Sequence, residues 1–291
     1  IRESGARLTT IADSNGVSAA HAARKFGFGT ATTDTTAVFA DPAVDTVIIA
    51  TRHDSHARLV CEALKAGKNV FVEKPLALNE QELEEIEELY TGGAESPAQA
   101  CPTLLVVGFN RRFAPHIVKM KDLLKGTPAP KAMIMTVNAG AIPTDHWTQD
   151  PERGGGRIIG EACHFIDLLR FLAGSSILST GVMRLSGDTV AITLGFADGS
   201  TGTVHYLANG HKSFPKERLE VFCGGRILQL DNFRRLTGYG WREFRKMNLW
   251  RQDKGHGAAV AAFLAAVRDG KPSPIPFEEL IEVTRATFQV A

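Results

Sequence analysis

Cysteine is scarce in this chain and never closely spaced. Cys61, Cys101, Cys163 and Cys223 are scattered, with no C-x-x-C pair. That argues against a zinc ribbon or a redox motif and reads as reduced thiols in a cytoplasmic protein. Long apolar runs are lacking too. None approaches the ~18 residues of a membrane span, and no signal peptide is visible, so no membrane partner is expected. Excess charge is absent: 33 Lys and Arg face 32 Asp and Glu, a formal net charge of +1, which exerts no bulk pull towards nucleic acid. There are no internal repeats. His53-x-x-His56 and Glu161-x-x-His164 carry ligand-type side chains, but nothing joins them at the spacing of one site, so no metal is expected. Also missing is a phosphate-cradling G-x-G-x-x-G turn.

What is present begins with the stretch from Asp45 to Pro75, VDTVIIATRHDSHARLVCEALKAGKNVFVEKP. Val47 to Ala50 is an apolar run suited to a parallel strand covered on both faces. Ser55 is placed to cap a helix with Leu59, Val60, Ala63 and Leu64 on its buried stripe, and Gly67 suits its stop. Val70 to Val72 form the next strand. In such a βαβ unit ligands sit outside the carboxyl ends of the strands, where Thr51, His53, His56 and Glu73-Lys74-Pro75 fall. Pro75 biases Lys74 towards an extended conformation, and the bond between them is a candidate for cis.

Further along, a Gly/Ala/Pro/Ser-rich connection over 91–102 precedes a strand at Leu104 to Val107, and the turn at Gly108 to Pro115 marks a domain boundary. Beyond it, alternating strands at Ala132 to Asn138, Val190 to Phe196, Gly202 to Leu207 and Arg218 to Phe222 predict an open, mainly antiparallel sheet. Helices are predicted from Ile158 to Leu172 and from Ala258 to Val267. The fold class is therefore α/β: a Rossmann-like, doubly wound parallel sheet over residues 1–112, then an α+β domain over 113–291 for substrate binding and oligomerisation. On the second predicted helix region, Glu161, His164 and Asp167 follow at i, i+3 spacing, so both carboxylates are expected beside the imidazole. A carboxylate there would raise its basicity. His164 reads equally as a satisfied helix histidine. Asn110 and Arg112 follow a strand and could line the cleft, although Arg112 would also serve in an ion pair. Trp147 offers a face to stack on a sugar or a cover for the core. Between Trp241 and Lys254, Arg242, Arg245, Lys246 and Arg251 mix with aromatics. Such a patch more often covers a sheet edge or receives an anionic sugar than binds nucleic acid, so no nucleic-acid partner is expected.

The ordered set Ala50-Thr51 with His56, Ala66-Gly67-Lys68, Glu73-Lys74-Pro75, Gly108-Phe109-Asn110 with Arg112-Phe113, and Gly154-Gly155-Gly156 with His164 and Asp167 resembles the Gfo/Idh/MocA family of NAD(P)-dependent oxidoreductases. The resemblance spans nearly the whole chain. It implies hydride transfer to or from a secondary hydroxyl of a sugar or cyclitol, with Lys74 contacting the reacting hydroxyl and the nicotinamide end of the cofactor. It also implies a homodimer or homotetramer built through the C-terminal sheet. The family usually has D-x-x-x-H where this chain has Gly160 and His164, so either Glu161, one residue on and turned by ~100° around a helix, does the acid's work or the relay is degraded. Asp13, at the end of a strand expected over Ala6 to Ala12, stands where an acid binds a ribose 2′-hydroxyl, which favours NAD over NADP; a turn or cap role is compatible with this. Arg2-Glu3-Ser4-Gly5 reads as the end of a preceding helix. The missing glycine turn leads to the expectation of a fragment lacking its first strand. The Thr51 to His56 and Gly156 to Glu161 variants resemble modules fused to zinc-type alcohol dehydrogenases. A non-catalytic sugar-binding or regulatory module of the same fold is the alternative that Gly160 leaves open.

Overall fold

The computed structural model describes residues 5–92 and 103–291. Arg2 to Ser4, Cys101 and most of the connection expected over 91–102 lie outside the described residues. The chain opens with β1 (Thr10–Ala12), α1 (Gly16–Phe26) and β2 (Thr30–Thr32), the two strands pairing in parallel. β1 is shorter than the Ala6 to Ala12 expected. α1 starts where Asn15 Oδ1 accepts the N–H groups of Val17 and Ser18 at 2.9 and 3.2 Å, and stops at Gly27, whose φ of 82° is open to glycine. After α2 (Thr35–Ala40) come β3 (Thr46–Ile49), α3 (His56–Lys65), β4 (Asn69–Val72), α4 (Glu80–Thr91) and β5 (Leu105–Val107). β3, β4 and β5 form a second parallel sheet in that order. Among the described residues it makes no ladder with β1 and β2.

α4 begins at Asn79, whose Oδ1 accepts from Glu82 N at 2.9 Å, while Glu82 Oε2 reaches back to Leu78 N at 2.8 Å. α5 (Pro115–Lys125), not anticipated from the sequence, leads into a sheet of eight strands. These are β6 (Lys131–Asn138), β7 (Ile177–Ser186), β8 (Thr189–Phe196), β9 (Thr201–Leu207), β10 (Glu217–Cys223), β11 (Arg226–Asp231), β12 (Arg235–Tyr239) and β13 (Lys246–Asn248), ordered β13-β12-β11-β10-β6-β9-β8-β7. Only β6 with β9 is parallel. Met133, Met135 and Val137 alternate inwards with Ile192, Val204, Tyr206, Leu219 and Leu228. On this inner face lies α6 (Cys163–Ala173), close enough that a Cβ on Gly202 would come 2.9 Å from Leu169 Cδ1.

The last two helices cross back to the first half. α7 (His256–Asp269) brings Phe263 to Phe71 of β4, ring centres 5.7 Å apart. α8 (Phe277–Val290) stacks Phe277 on Tyr90 of α4 at 4.1 Å, and its Arg285 bonds Glu80 and Glu87 at 2.7 and 2.6 Å. Residues well beyond 112 therefore cover the parallel sheet. Among the described residues no helix is long and apolar enough to cross a membrane.

Candidate active site

The exits of β3 and β4 are tied together by side chains. Ser55 Oγ donates to Arg52 O at 2.8 Å and lies 2.6 Å from Thr51 Oγ1, so it holds the exit loop and leaves α3 without the side-chain cap expected of it. His56 is fully buried, with Nδ1 2.8 Å from Pro75 O and Nε2 3.2 Å from Thr51 O. Both ring nitrogens face carbonyl oxygens of the protein, so His56 braces the two exits. Glu73 donates its N–H to Ile49 O, and its carboxylate lies under Gly108, where a Cβ would come 2.9 Å from Oε2. The Lys74–Pro75 bond is cis, and Lys74 Nζ donates to Gly160 O at 2.9 Å.

His53 is the hinge pin of the site. Its Nδ1–H donates to Gly154 O at 2.8 Å, and its ring meets Trp147 edge to face at 4.8 Å. Only 6% exposed, it has its pKa lowered to about 4, chiefly by burial, with Lys74 and His56 adding to the fall and the Gly154 carbonyl opposing it. Trp147 also lies 5.7 Å from the Arg52 guanidinium. Thus Trp147 joins the strand-exit cluster. Gly154 is required by close approach: a Cβ there would sit 2.3 Å from Thr148 Cα.

The helix that follows is not regular. Ile158–Ala162 wind as a π-helical turn and α6 begins only at Cys163, so Glu161 lies in an irregular turn ahead of the regular helix that carries His164 and Asp167. Glu161 turns instead to Arg157 Nη2 at 3.2 Å, Lys216 Nζ at 2.7 Å and the Tyr206 hydroxyl. Burial pushes its carboxyl up, but the Lys216 charge and the three donors outweigh that and hold it near 2. Glu161 is therefore an anion held in a network of its own with Arg157, Lys216 and Tyr206. Asp167 is paired through both oxygens with Arg112, one contact at 3.1 Å, and Arg112 Nη1 reaches Glu279 at 2.9 Å. At 1% and 3% exposure, Asp167 and Arg112 lock α6 to the turn after β5 in a buried ion pair. Asn110 is buried, and its Nδ2 donates to Lys254 O at 2.6 Å.

His164 stands apart from these carboxylates. It is buried beside Phe109, ring centres 6.2 Å apart, and its Nδ1 has no partner among the described residues. Burial, followed by the positive charges of Arg111, Lys74, His256 and Lys254, drives its pKa well below 6.5. The imidazole is thus uncharged at neutral pH, a proton acceptor within the electrostatic reach of Lys74. Under it lies a buried triad the sequence did not disclose: Glu217 accepts from Arg111 Nε and Nη2 at 3.0 and 2.9 Å and from Lys254 Nζ at 2.6 Å. Arg111 stands between Asn110 and Arg112, both singled out, but its partner is 106 residues away and carries no local signal. Asp13 remains exposed at the end of β1, with Oδ1 accepting from Asn15 N at 2.8 Å.

Comparison with known proteins agrees with this architecture. A profile for an oxidoreductase family with an NAD-binding Rossmann fold, Gfo/Idh/MocA, matches residues 1–96, and the profile of a Gfo/Idh/MocA C-terminal domain matches residues 130–227. Together they cover more than half of the chain. Inositol 2-dehydrogenase of Rhizobium meliloti is 25% identical over 286 residues, 91% of this chain and 82% of the relative. Myo-inositol 2-dehydrogenase of Thermotoga maritima is 24% identical, over 88% of this chain and 79% of the relative. Among solved structures, levoglucosan dehydrogenase in complex with NADH and levoglucosan superposes with a TM-score of 0.82 at 22% identity, covering 98% of this chain and 87% of that one.

Proposed function

Because the chain belongs to the Gfo/Idh/MocA family of NAD-binding oxidoreductases, we propose that it is a cytoplasmic dehydrogenase moving a hydride between NAD and a secondary hydroxyl of a cyclitol or sugar-like polyol. One observation carries this reading: the Lys74 ammonium, held at Gly160, acts electrostatically on an uncharged, buried His164. An ammonium and a neutral imidazole are the two groups needed at a reacting C–OH. In the oxidising direction Lys74 donates a hydrogen bond to the substrate oxygen and stabilises the charge developing on it. His164 accepts the hydroxyl proton as the C=O bond forms. Bound NAD supplies the acceptor for the hydride and its electron pair.

The residues at the strand exits fit such a cofactor. Asp13 keeps one carboxylate oxygen unengaged for a ribose 2′-hydroxyl, and it would repel the 2′-phosphate of NADP. Thr51, His53, Glu73 and Pro75 surround the exits where the nicotinamide end belongs, with His53 and Pro75 shaping the wall and Thr51 exposed. Trp147 offers an aromatic face beside them. The names of the relatives, inositol and levoglucosan dehydrogenases, favour a ring polyol without a phosphate. Pairing of two or four copies through the outer face of the eight-stranded sheet belongs to the same proposal, supported by the exposed Ile134, Phe222 and Tyr239 on that face.

The test is NADH titration by nicotinamide fluorescence followed by a turnover screen over myo-inositol, scyllo-inositol and levoglucosan, with Lys74→Ala as the control. NAD-linked turnover lost in Lys74→Ala is the expected result. Absence of both NADH binding and turnover would overturn the reading. Polyol binding without turnover would assign a binding module instead, the alternative that glycine at position 160 leaves open.

A further inference from the structure

Lys74 is held by an unusual partner. Its Nζ donates to a backbone carbonyl, Gly160 O, at 2.9 Å, and among the described residues it makes no salt bridge. That carbonyl belongs to the π-helical turn Ile158–Ala162, where an extra residue is wound into the helix. The position itself admits no side chain. A Cβ on Gly160 would lie 2.9 Å from His53 Cε1, 3.3 Å from Gly154 O and 3.4 Å from His53 Nδ1. The His53 ring has little room to retreat, since Nδ1 is bonded to Gly154 O at 2.8 Å and Trp147 stands 4.8 Å from its centre.

We propose that the Gly160 carbonyl is the positioning group for Lys74 in this chain, and that His53 enforces it by closing the site to any side chain at position 160. The carbonyl takes one of the three N–H donors of the ammonium and brings no counter-charge. Two donors are left for ligands of the cleft, which is where the inference rests on the dehydrogenase reading. Gly160 is thus more than the loss of an acid. A neutral acceptor, a wedge and a wider helical turn together fix the amine at the Gly160 carbonyl, with His53 and Gly160 acting as positioning residues through Lys74.

The experiment needs neither cofactor nor substrate, so its failure and the failure of the dehydrogenase reading are separable. Trace acetylation with acetic anhydride, mapped by mass spectrometry, gives the rate at Lys74 relative to exposed Lys65 on α3. In Gly160→Ala the methyl collides with His53, the turn shifts, and Lys74 is expected to label at least roughly tenfold faster, the loosening that follows loss of one charged hydrogen bond. In His53→Ala/Gly160→Ala the methyl has room, and the Lys74 to Lys65 ratio is expected to return to within about twofold of wild type. A purely structural glycine would lower stability in Gly160→Ala while leaving that ratio unchanged, and this result overturns the proposal. So does a double variant that labels fast or fails to fold. Should Gly160→Ala alone not fold, the double variant still decides.

Discussion

Replacing Glu217 by Gln removes one negative charge and almost no volume, which makes it the sharpest probe of the interior beneath the site. The Glu217 side chain is fully buried and accepts three charged hydrogen bonds, two from Arg111 and one from Lys254, at 2.6 to 3.0 Å. Those two cations are 6% and 16% exposed, so water does little to compensate them. Burial pushes the Glu217 carboxyl up, but Arg111 and Lys254 outweigh it and hold it below the usual carboxylate range. With an amide in its place, one cation loses its counter-ion and meets an N–H2 group. Breaking a buried pair from one side costs about 3–5 kcal/mol, which for a chain of this size lowers Tm by roughly 10 °C. Urea denaturation followed by tryptophan fluorescence reads the change, with Glu62→Gln as the control. Glu62 pairs with Arg58 on the surface, at 36% and 60% exposure, and its loss is expected to shift stability by less than about 0.5 kcal/mol. A Glu217→Gln protein within about 1 kcal/mol of wild type would refute the argument that this triad is closed to solvent and mutually dependent.

Lys74→Ala is expected to lower turnover by on the order of 100-fold or more while NADH still binds, read by steady-state kinetics beside fluorescence titration. Acid is expected to weaken the fold in two windows. His53 titrates near 4 in the folded chain against 6.5 ordinarily, so its stabilisation is present above pH 6.5 and is lost as pH falls towards 4. Glu161, near 2 against 4.5, contributes above pH 4.5 and is lost as pH falls towards 2, each group amounting to about 3 kcal/mol. Urea midpoints at pH 7, 5 and 3 check both, and His53→Gln is expected to flatten the upper window alone. Gly154→Ala sets a methyl 2.3 Å from Thr148 Cα, against backbone that cannot step aside; a loss of at least about 3 kcal/mol by thermal unfolding is expected.

The βαβ unit around Lys74 was legible because its signals are local: an apolar run, a glycine stop at φ 68°, and a second apolar run in register with the first. The hairpin between β11 and β12 was hidden by its turn. Asn232 and Phe233 both adopt positive φ, 49° and 53°, where asparagine–glycine is the usual sign; Phe233 accepts that backbone while its ring is buried. Glu161 was misplaced beside His164 because the reading assumed a regular helix through the π-helical turn, and Asp167, three residues after His164 on α6, is claimed by the Arg112 guanidinium. Arg112 illustrates the same limit from the other side. Its motif was visible, but the carboxylates that claim it come from 55 and 167 residues further along the chain. His53 drew notice as a strand-exit residue, whereas its actual contact, a glycine carbonyl 101 residues on, has no composition to betray it.

The return of α8 onto α4 has a consequence for how the molecule is made. Arg285 reaches Glu80 and Glu87 across 205 and 198 residues of sequence, and Phe277 closes on Tyr90. A chain emerging amino end first displays the flank of its parallel sheet long before the segment that shields it has been synthesised. Contacts of such sequence separation are slow to form. The fourteen-residue helix α8 therefore acts as a latch on α4 and β5, and translation halted just short of it would be expected to release a sticky, protease-sensitive product in which that flank of the parallel sheet is unprotected.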